Sequence, residues 1–217
     1  MKTDAQLQND VEAELAWDPQ VTHTNVGVLV KDGVVTLTGY PASHSEKYAI
    51  ERATQRVAGV RAIAVELEVR LPQDDVRPDG DIALAAKRAL TWNALLADQN
   101  IGVMVEKGDV ILSGEVEWQF QRRAAEAAVR PLLGVTAVTN QIVVNPRISA
   151  DNIAAKIDHA LARQAHREAR NIQVMVDGSS VTLRGQVHSW AEWRAAQGVA
   201  WSAPGIATVN NDLLVVV

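Results

Sequence analysis

Hydrophobic and polar positions along the 217 residues fall into two rhythms that succeed one another in a fixed order. Leu7, Val11 and Leu15 are spaced by four, which stripes one face of a helix running from Asp4 to Trp17. Thr3 and Gln6 hold the positions of a capping box at its start. The rhythm then changes to a period of two: Val26, Val28 and Val30 alternate, as do Val35 and Leu37, with Lys31-Asp32-Gly33 between them. Alternation around an Asp-Gly pair predicts a β-hairpin, and it stops at Gly39. Ser43 and Glu46 open a second helix whose inner face is read as Ala49, Ala53 and Val57, small enough to lie close to a sheet. That helix is expected to close at Gly59-Val60, where glycine suits a left-handed cap, before a last strand from Ile63 to Val69.

The series then recurs twice. Gly33, Gly39 and Gly59 return as Gly108, Gly114 and Gly134 at an offset of 75 residues, and Trp17 returns as Trp92. Gly114 and Gly134 return as Gly185 and Gly205 at an offset of 71, and Asn100-Ile101 as Asn171-Ile172. The first-helix stripes are Ile82, Ala86, Leu90 and Ile153, Ile157, Leu161. The second-helix inner faces are read as Ala124, Ala128, Leu132 and Ala195, Val199, Ala203. The second hairpin turns at Glu106-Lys107-Gly108, and the third at Asp177-Gly178, where the glycine has moved forward by one residue.

Repetition at this period predicts an α+β protein of three tandem α-β-β-α-β modules, over residues 3–70, 78–145 and 148–217. Each is a three-stranded mixed sheet covered by two helices on one face. The connector Leu71 to Arg77 carries Pro72 and two acids, whereas Asn145-Pro146-Arg147 is minimal, so the last two modules are expected to be held more firmly than the first two. The terminal run Leu213 to Val217 is apolar at successive positions, which predicts cover on both faces by another copy or another chain, with Met104 and Met175 as further members of such a contact.

Composition narrows the function classes. The net charge of -5 gives no general drive toward nucleic acid, and the absence of cysteine excludes disulfides and thiolate metal sites. No stretch has the length of a transmembrane helix, and the start lacks the apolar run of a secretory signal. The expected compartment is the cytoplasm, or the periplasm if a signal has been removed.

Chemistry-bearing motifs are sparse. His23, His44, His159, His166 and His188 have no metal-ligand spacing and read as solvent-facing. No phosphate loop, nucleophile elbow or dinucleotide fingerprint is present, so neither an enzyme, a cofactor nor a metal is expected. Six tryptophans stand against one phenylalanine and two tyrosines. Trp17 and Trp92, at one repeat position, read as packing residues that seal the first helix. Trp118, Trp190 and Trp193 cluster at the start of the second helix, with Phe120, Arg122, Arg123 and Arg194 beside them. Tryptophan with nearby arginine suits a membrane interface, and the same rings also suit the joints between modules.

The closing pattern G-V-x-x-V-x-N-x-hydrophobic, in Gly134, Val135, Val138, Asn140, Ile142 and again in Gly205, Ile206, Val209, Asn211, Leu213, resembles the BON domain family, named for bacterial OsmY and nodulation proteins. The first module departs from it at Val65, where the asparagine would stand. The resemblance implies a bacterial, stress-associated, non-enzymatic binding protein directed at phospholipid surfaces. Its alternatives are a structural or protein-interaction module, homo-oligomeric or not, and a K⁺-responsive binder.

Overall fold

The computed structural model describes residues 2–96, 99–145, 153–164 and 172–216; His166, Asn171, the Pro146-Arg147 connector and Val217 lie outside the described residues. Module 1 is α1 (Asp4–Trp17), β1 (Val26–Lys31), β2 (Val34–Gly39), α2 (His44–Thr54) and β3 (Ala62–Leu67). β1 and β2 pair antiparallel, Val30 opposite Val35, and β3 joins β2 in parallel, Leu37 opposite Val65. The sheet order is therefore β1-β2-β3, with α2 as the crossover that a parallel pair requires.

Module 2 repeats this as α3 (Asp79–Thr91), β4 (Ile101–Glu106), β5 (Asp109–Val116), α4 (Gln119–Val129) and β6 (Ala137–Asn140). Module 3 has α5 (Ile153–Gln164), β8 (Ile172–Asp177), β9 (Ser180–Val187), α6 (Trp190–Trp201) and β10 (Thr208–Val215). The α+β architecture read from the sequence is the observed one, with one refinement. The last strand of module 2 is broken, and a short β7 (Val143–Val144) pairs with β5 beyond the break.

Asn140 is the last residue before the break. Its Nδ2 donates to the Arg122 carbonyl at 3.0 Å, and its Oδ1 accepts from the Ile142 amide at 3.2 Å. The side chain straps the sheet edge to α4 and curls the chain over itself. Asn211 does the same in module 3, donating to the Trp193 carbonyl at 3.2 Å and accepting from Leu213 at 3.3 Å. Val65 makes no such bond, and Lys47 instead donates to the Leu67 carbonyl at 3.1 Å.

The first-helix stripes are buried as expected: Leu7, Val11, Leu15; Ile82, Ala86, Leu90; Ile153, Ile157, Leu161. The Thr3–Gln6 capping box forms in full. Hairpin and helix are also tied together by a side chain. The Asp4 carboxylate accepts from the amides of Asp32 and Gly33 at 2.8 and 3.1 Å, and Asp79 accepts from Lys107 and Gly108 at 2.8 and 3.0 Å. These are the two central turn residues, all at positive φ, as a type I′ hairpin demands. Module 3 has Ala150 at this repeat position in the sequence, and its hairpin has positive φ only at Gly178. At the far end of the hairpin Gly39 has φ 136°, and a Cβ there would strike the Asn25 carbonyl.

The second helix buries a broader face than expected in modules 1 and 3, and a face turned by one residue in module 2. Of the positions read from sequence, Ala49, Ala53, Val199 and Ala203 are buried, but Ile50, Thr54, Ala196 and Ala200 beside them are buried too, and in module 2 the buried pair is Ala125 and Val129 rather than Ala124 and Ala128. α2 also ends at Thr54 on a right-handed Gln55, so Gly59, at φ 106°, serves the following turn rather than the helix cap.

Modules 1 and 2 form one compact unit, and module 3, with residues 117–119, forms another. The first two are joined directly: the Arg130 guanidinium lies 3.5 Å over the Tyr48 ring, and Ser45 Oγ donates to the Arg130 carbonyl at 3.3 Å. The long connector between them thus does not make them a loose pair. In module 3, Leu213 is buried under α6 whereas Leu214, the next residue of β10, is exposed among the described residues.

Candidate functional site

The sequence-predicted site residues fall into two groups. Trp118, Phe120, Arg122 and Arg123 stand at the start of α4; Trp190, Trp193 and Arg194 stand in the first turn of α6. Trp118, Trp190 and Trp193 are all half-buried, while Phe120 and Arg123 are exposed. The Trp190 and Trp193 rings touch, with centroids 5.5 Å apart, and Trp193 packs with Trp201 against the module 3 core. Arg122 Nη2 donates to the Asn140 carbonyl at 3.0 Å, and Arg194 Nε donates to the Trp190 carbonyl at 3.3 Å. Both guanidiniums are thus engaged with their own modules.

The fully displayed tryptophans are the other pair. Trp17 is 84% exposed and Trp92 is 89% exposed, which overturns their reading as packing residues. The reason is helical geometry. Trp17 follows the buried Leu15 by two residues, and Trp92 follows Leu90 by two, so each points about 200° away from the inward stripe. The spacing was visible in the sequence, and it is the signal that bulk and aromaticity obscured.

The surroundings of the two differ. Along the outer face of α3, Leu84 and Arg88 are spaced by four, and Trp92, the residue that caps the helix, continues the series; Leu84 is 58% exposed. A helical side chain leans toward the N-terminus, so Trp92 lies over the turn that carries Arg88. Lys87 and Arg88 are exposed and have no ion-pair partner among the described residues. Leu95, 53% exposed, follows in the turn after the helix. Together they place two apolar side chains, an indole and two unpaired cations on one end of module 2. In module 1 the positions of Lys87 and Arg88 are held by Glu12 and Ala13, and in module 3 by Asp158 and His159.

Around Trp17 there is instead a cleft of about 350 Å³ between the end of α1 and the outer face of α2, lined by Trp17, Asp18, Pro19, Gln20, Tyr48, Ala49, Arg52 and Arg56. Arg56 is held at 2.6 Å by Glu14 and at 2.8 Å by Asp18. Hydrogen bonding to Arg56, then to the Gln20 amide, holds the Asp18 carboxyl below its ordinary value of 3.8. Arg52 has no such partner among the described residues.

Among the histidines, His23, His159 and His188 are exposed. His44 is half-buried at the joint between modules 1 and 2, and burial above all, then the nearby charges of Arg130 and Lys47, lowers its pKa from 6.5. No group of metal-ligating side chains occurs among the described residues, and none of the described helices is long and apolar enough to cross a membrane.

The chain is 27% identical to osmotically-inducible protein Y of Escherichia coli (strain K12) over 143 residues, covering 64% of this chain and 71% of that protein. Among solved structures it aligns with the C-terminal domain of CdsD, the structural protein of the type III secretion system of Chlamydia trachomatis, at 13% identity and a TM-score of 0.27 over the full length of both. A second structure of CdsD aligns at 14% identity over 96% of this chain and 91% of that one, again at a TM-score of 0.27. Likeness at that level carries no argument. The model of the BON domain, by contrast, matches residues 3–70, 78–146 and 149–217. With three matched copies across nearly its whole length, the chain belongs to the BON domain family.

Proposed function

We propose that this is a stress-associated protein that binds the surface of anionic phospholipid membranes through the outer face of α3 in module 2. The stress association rests on its similarity to an osmotically-inducible relative. The membrane reading rests on one observation: Trp92, 89% exposed, shares a helix face with exposed Leu84 and unpaired Arg88. An indole combines an apolar ring with a polar N–H and settles at the headgroup level. Lys87 and Arg88 add about 1 kcal/mol each near an anionic leaflet, enough for weak, salt-sensitive association rather than anchoring.

The test is flotation with vesicles of phosphatidylcholine alone and with phosphatidylglycerol added. The protein should float with the anionic vesicles at low salt, and the K87Q/R88Q double variant should stay behind. Equal flotation of that variant, or no flotation of the wild type, would refute the reading.

A further inference from the structure

Tyr48 belongs to two places at once. Its ring lines the module 1 cleft beside Trp17, and the same ring is stacked at 3.5 Å by Arg130 of module 2. Arg52 stands on the cleft side, its guanidinium 6.0 Å from the ring centroid. Arg130 is itself fixed by Glu126 at 2.6 Å and by the Ser45 hydroxyl at its carbonyl. The Tyr48 ring therefore meets two guanidiniums, Arg130 closely at the joint and Arg52 more distantly at the cleft.

The cleft has the character of an anion site with an apolar wall. Arg56 is neutralised by Glu14 and Asp18, which leaves Arg52 as the cation without a counter-charge among the cleft's described residues. Trp17, 84% exposed, lines the same cleft, and buried Ala49 adds its methyl to the lining. A cation at that site is disfavoured, because Tyr48 already meets Arg130 and Arg52. A phosphate carried on an apolar body satisfies both features: the phosphate on Arg52, the body against Trp17.

We propose that this cleft takes the phosphate of an anionic phospholipid headgroup, and that its occupancy is coupled through Tyr48 to the joint between modules 1 and 2. The lipid assignment rests on the membrane reading above; the coupling rests on the geometry of Tyr48. A headgroup that draws Arg52 off the Tyr48 ring removes one of its two cations and strengthens the stack with Arg130. By reciprocity, loosening the Arg130 stack weakens headgroup binding by the same factor.

The experiment uses the full chain labelled with 5-fluorotryptophan, with the Trp17 resonance assigned by its loss in W17F. Dihexanoyl phosphatidylglycerol below its micellar concentration should shift that resonance saturably, and inorganic phosphate at the same concentration should not. R52Q should weaken the response about fivefold, the effect of removing one cation near an anionic headgroup. R130Q, outside the cleft, should weaken it severalfold, and the double variant should lose less than the two losses multiplied. An unmoved Trp17 resonance overturns the site, even where flotation through Trp92 persists. An equal response to inorganic phosphate overturns the lipid assignment, and an R130Q titration matching wild type overturns the coupling. A Trp17 response without any flotation of the full chain would leave this site standing and sink the membrane reading instead.

Discussion

Asp79 offers the sharpest test of how each module holds its shape. Its two carboxylate oxygens accept the amides of Lys107 and Gly108 at 2.8 and 3.0 Å, so one side chain at the start of α3 fixes both central residues of a type I′ turn. A hydrogen bond to a charged group contributes about 1.5–3 kcal/mol when buried, but Asp79 is only half-buried, so solvent takes the place of the lost acceptor in part. The loss on Asp79→Ala is therefore placed at about 2 kcal/mol for the pair, close to that of losing a good helix cap. In a unit the size of modules 1 and 2 this lowers Tm by about 4–8 °C. Asp79→Asn keeps an oxygen for one amide and should lose about half as much. Thermal melting gives the sum, and amide hydrogen exchange at Lys107 and Gly108 gives the location. Unchanged exchange at Gly108 in Asp79→Ala would show that the turn holds itself and that the clamp is incidental.

Other consequences follow from the same contacts. Asn140→Val, which imports the Val65 of module 1, removes a donor and an acceptor from the α4 strap; a loss of about 2 kcal/mol is expected by melting, and a neutral result would refute the strap. His44 is kept neutral by burial, so its folded pKa lies below its unfolded one, and stability of the joint should fall as pH drops from about 6.5 toward that lower value. His44→Gln should remove that slope. Glu51, raised from 4.5 chiefly by burial, acts in the opposite sense and stabilises as it protonates, so Glu51→Gln should steepen the loss. Asp18, lowered by Arg56, contributes stability that is present above about 3.8 and lost as pH falls through its depressed value; acid melts of Asp18→Asn should lack that step.

Much of the fold was legible because its signals are local. Alternating valines around a turn glycine dictate the hairpins, and the four-residue spacing of Leu7, Val11 and Leu15 dictates the first helix and its buried face. The second helix was harder to orient. Ala49, Ala53, Ala124, Ala125, Ala128, Ala195 and Ala196 make neighbouring faces nearly equal in hydrophobicity, so the sequence alone did not distinguish the face that packs from the one beside it. The site was partly legible: the tryptophans were singled out, but Trp17 and Trp92 were assigned to the core by type although their spacing from Leu15 and Leu90 turns them outward. The stack of Arg130 on Tyr48 had no signal at all, since periodicity describes one element and that contact joins α2 of one module to the turn after α4 of the next.

The exposed rings also separate shared architecture from specialised surface. All three modules bury the same stripe, yet α3 alone adds Lys87 and Arg88 beside an exposed tryptophan. A solvated helix end gains nothing for its own module by displaying an indole at nearly full exposure. That difference, rather than the common scaffold, is what the proposed membrane contact uses.

The most direct measurement is quenching of tryptophan emission by brominated phosphatidylglycerol vesicles, compared among wild type, W92F and the W190F/W193F pair. Contact through α3 predicts strong quenching in wild type and in W190F/W193F, and a large reduction in W92F, where only Trp17 at the module 1 cleft still meets lipid. Quenching that survives W92F and disappears in W190F/W193F would contradict the account and move the contact surface to the start of α6.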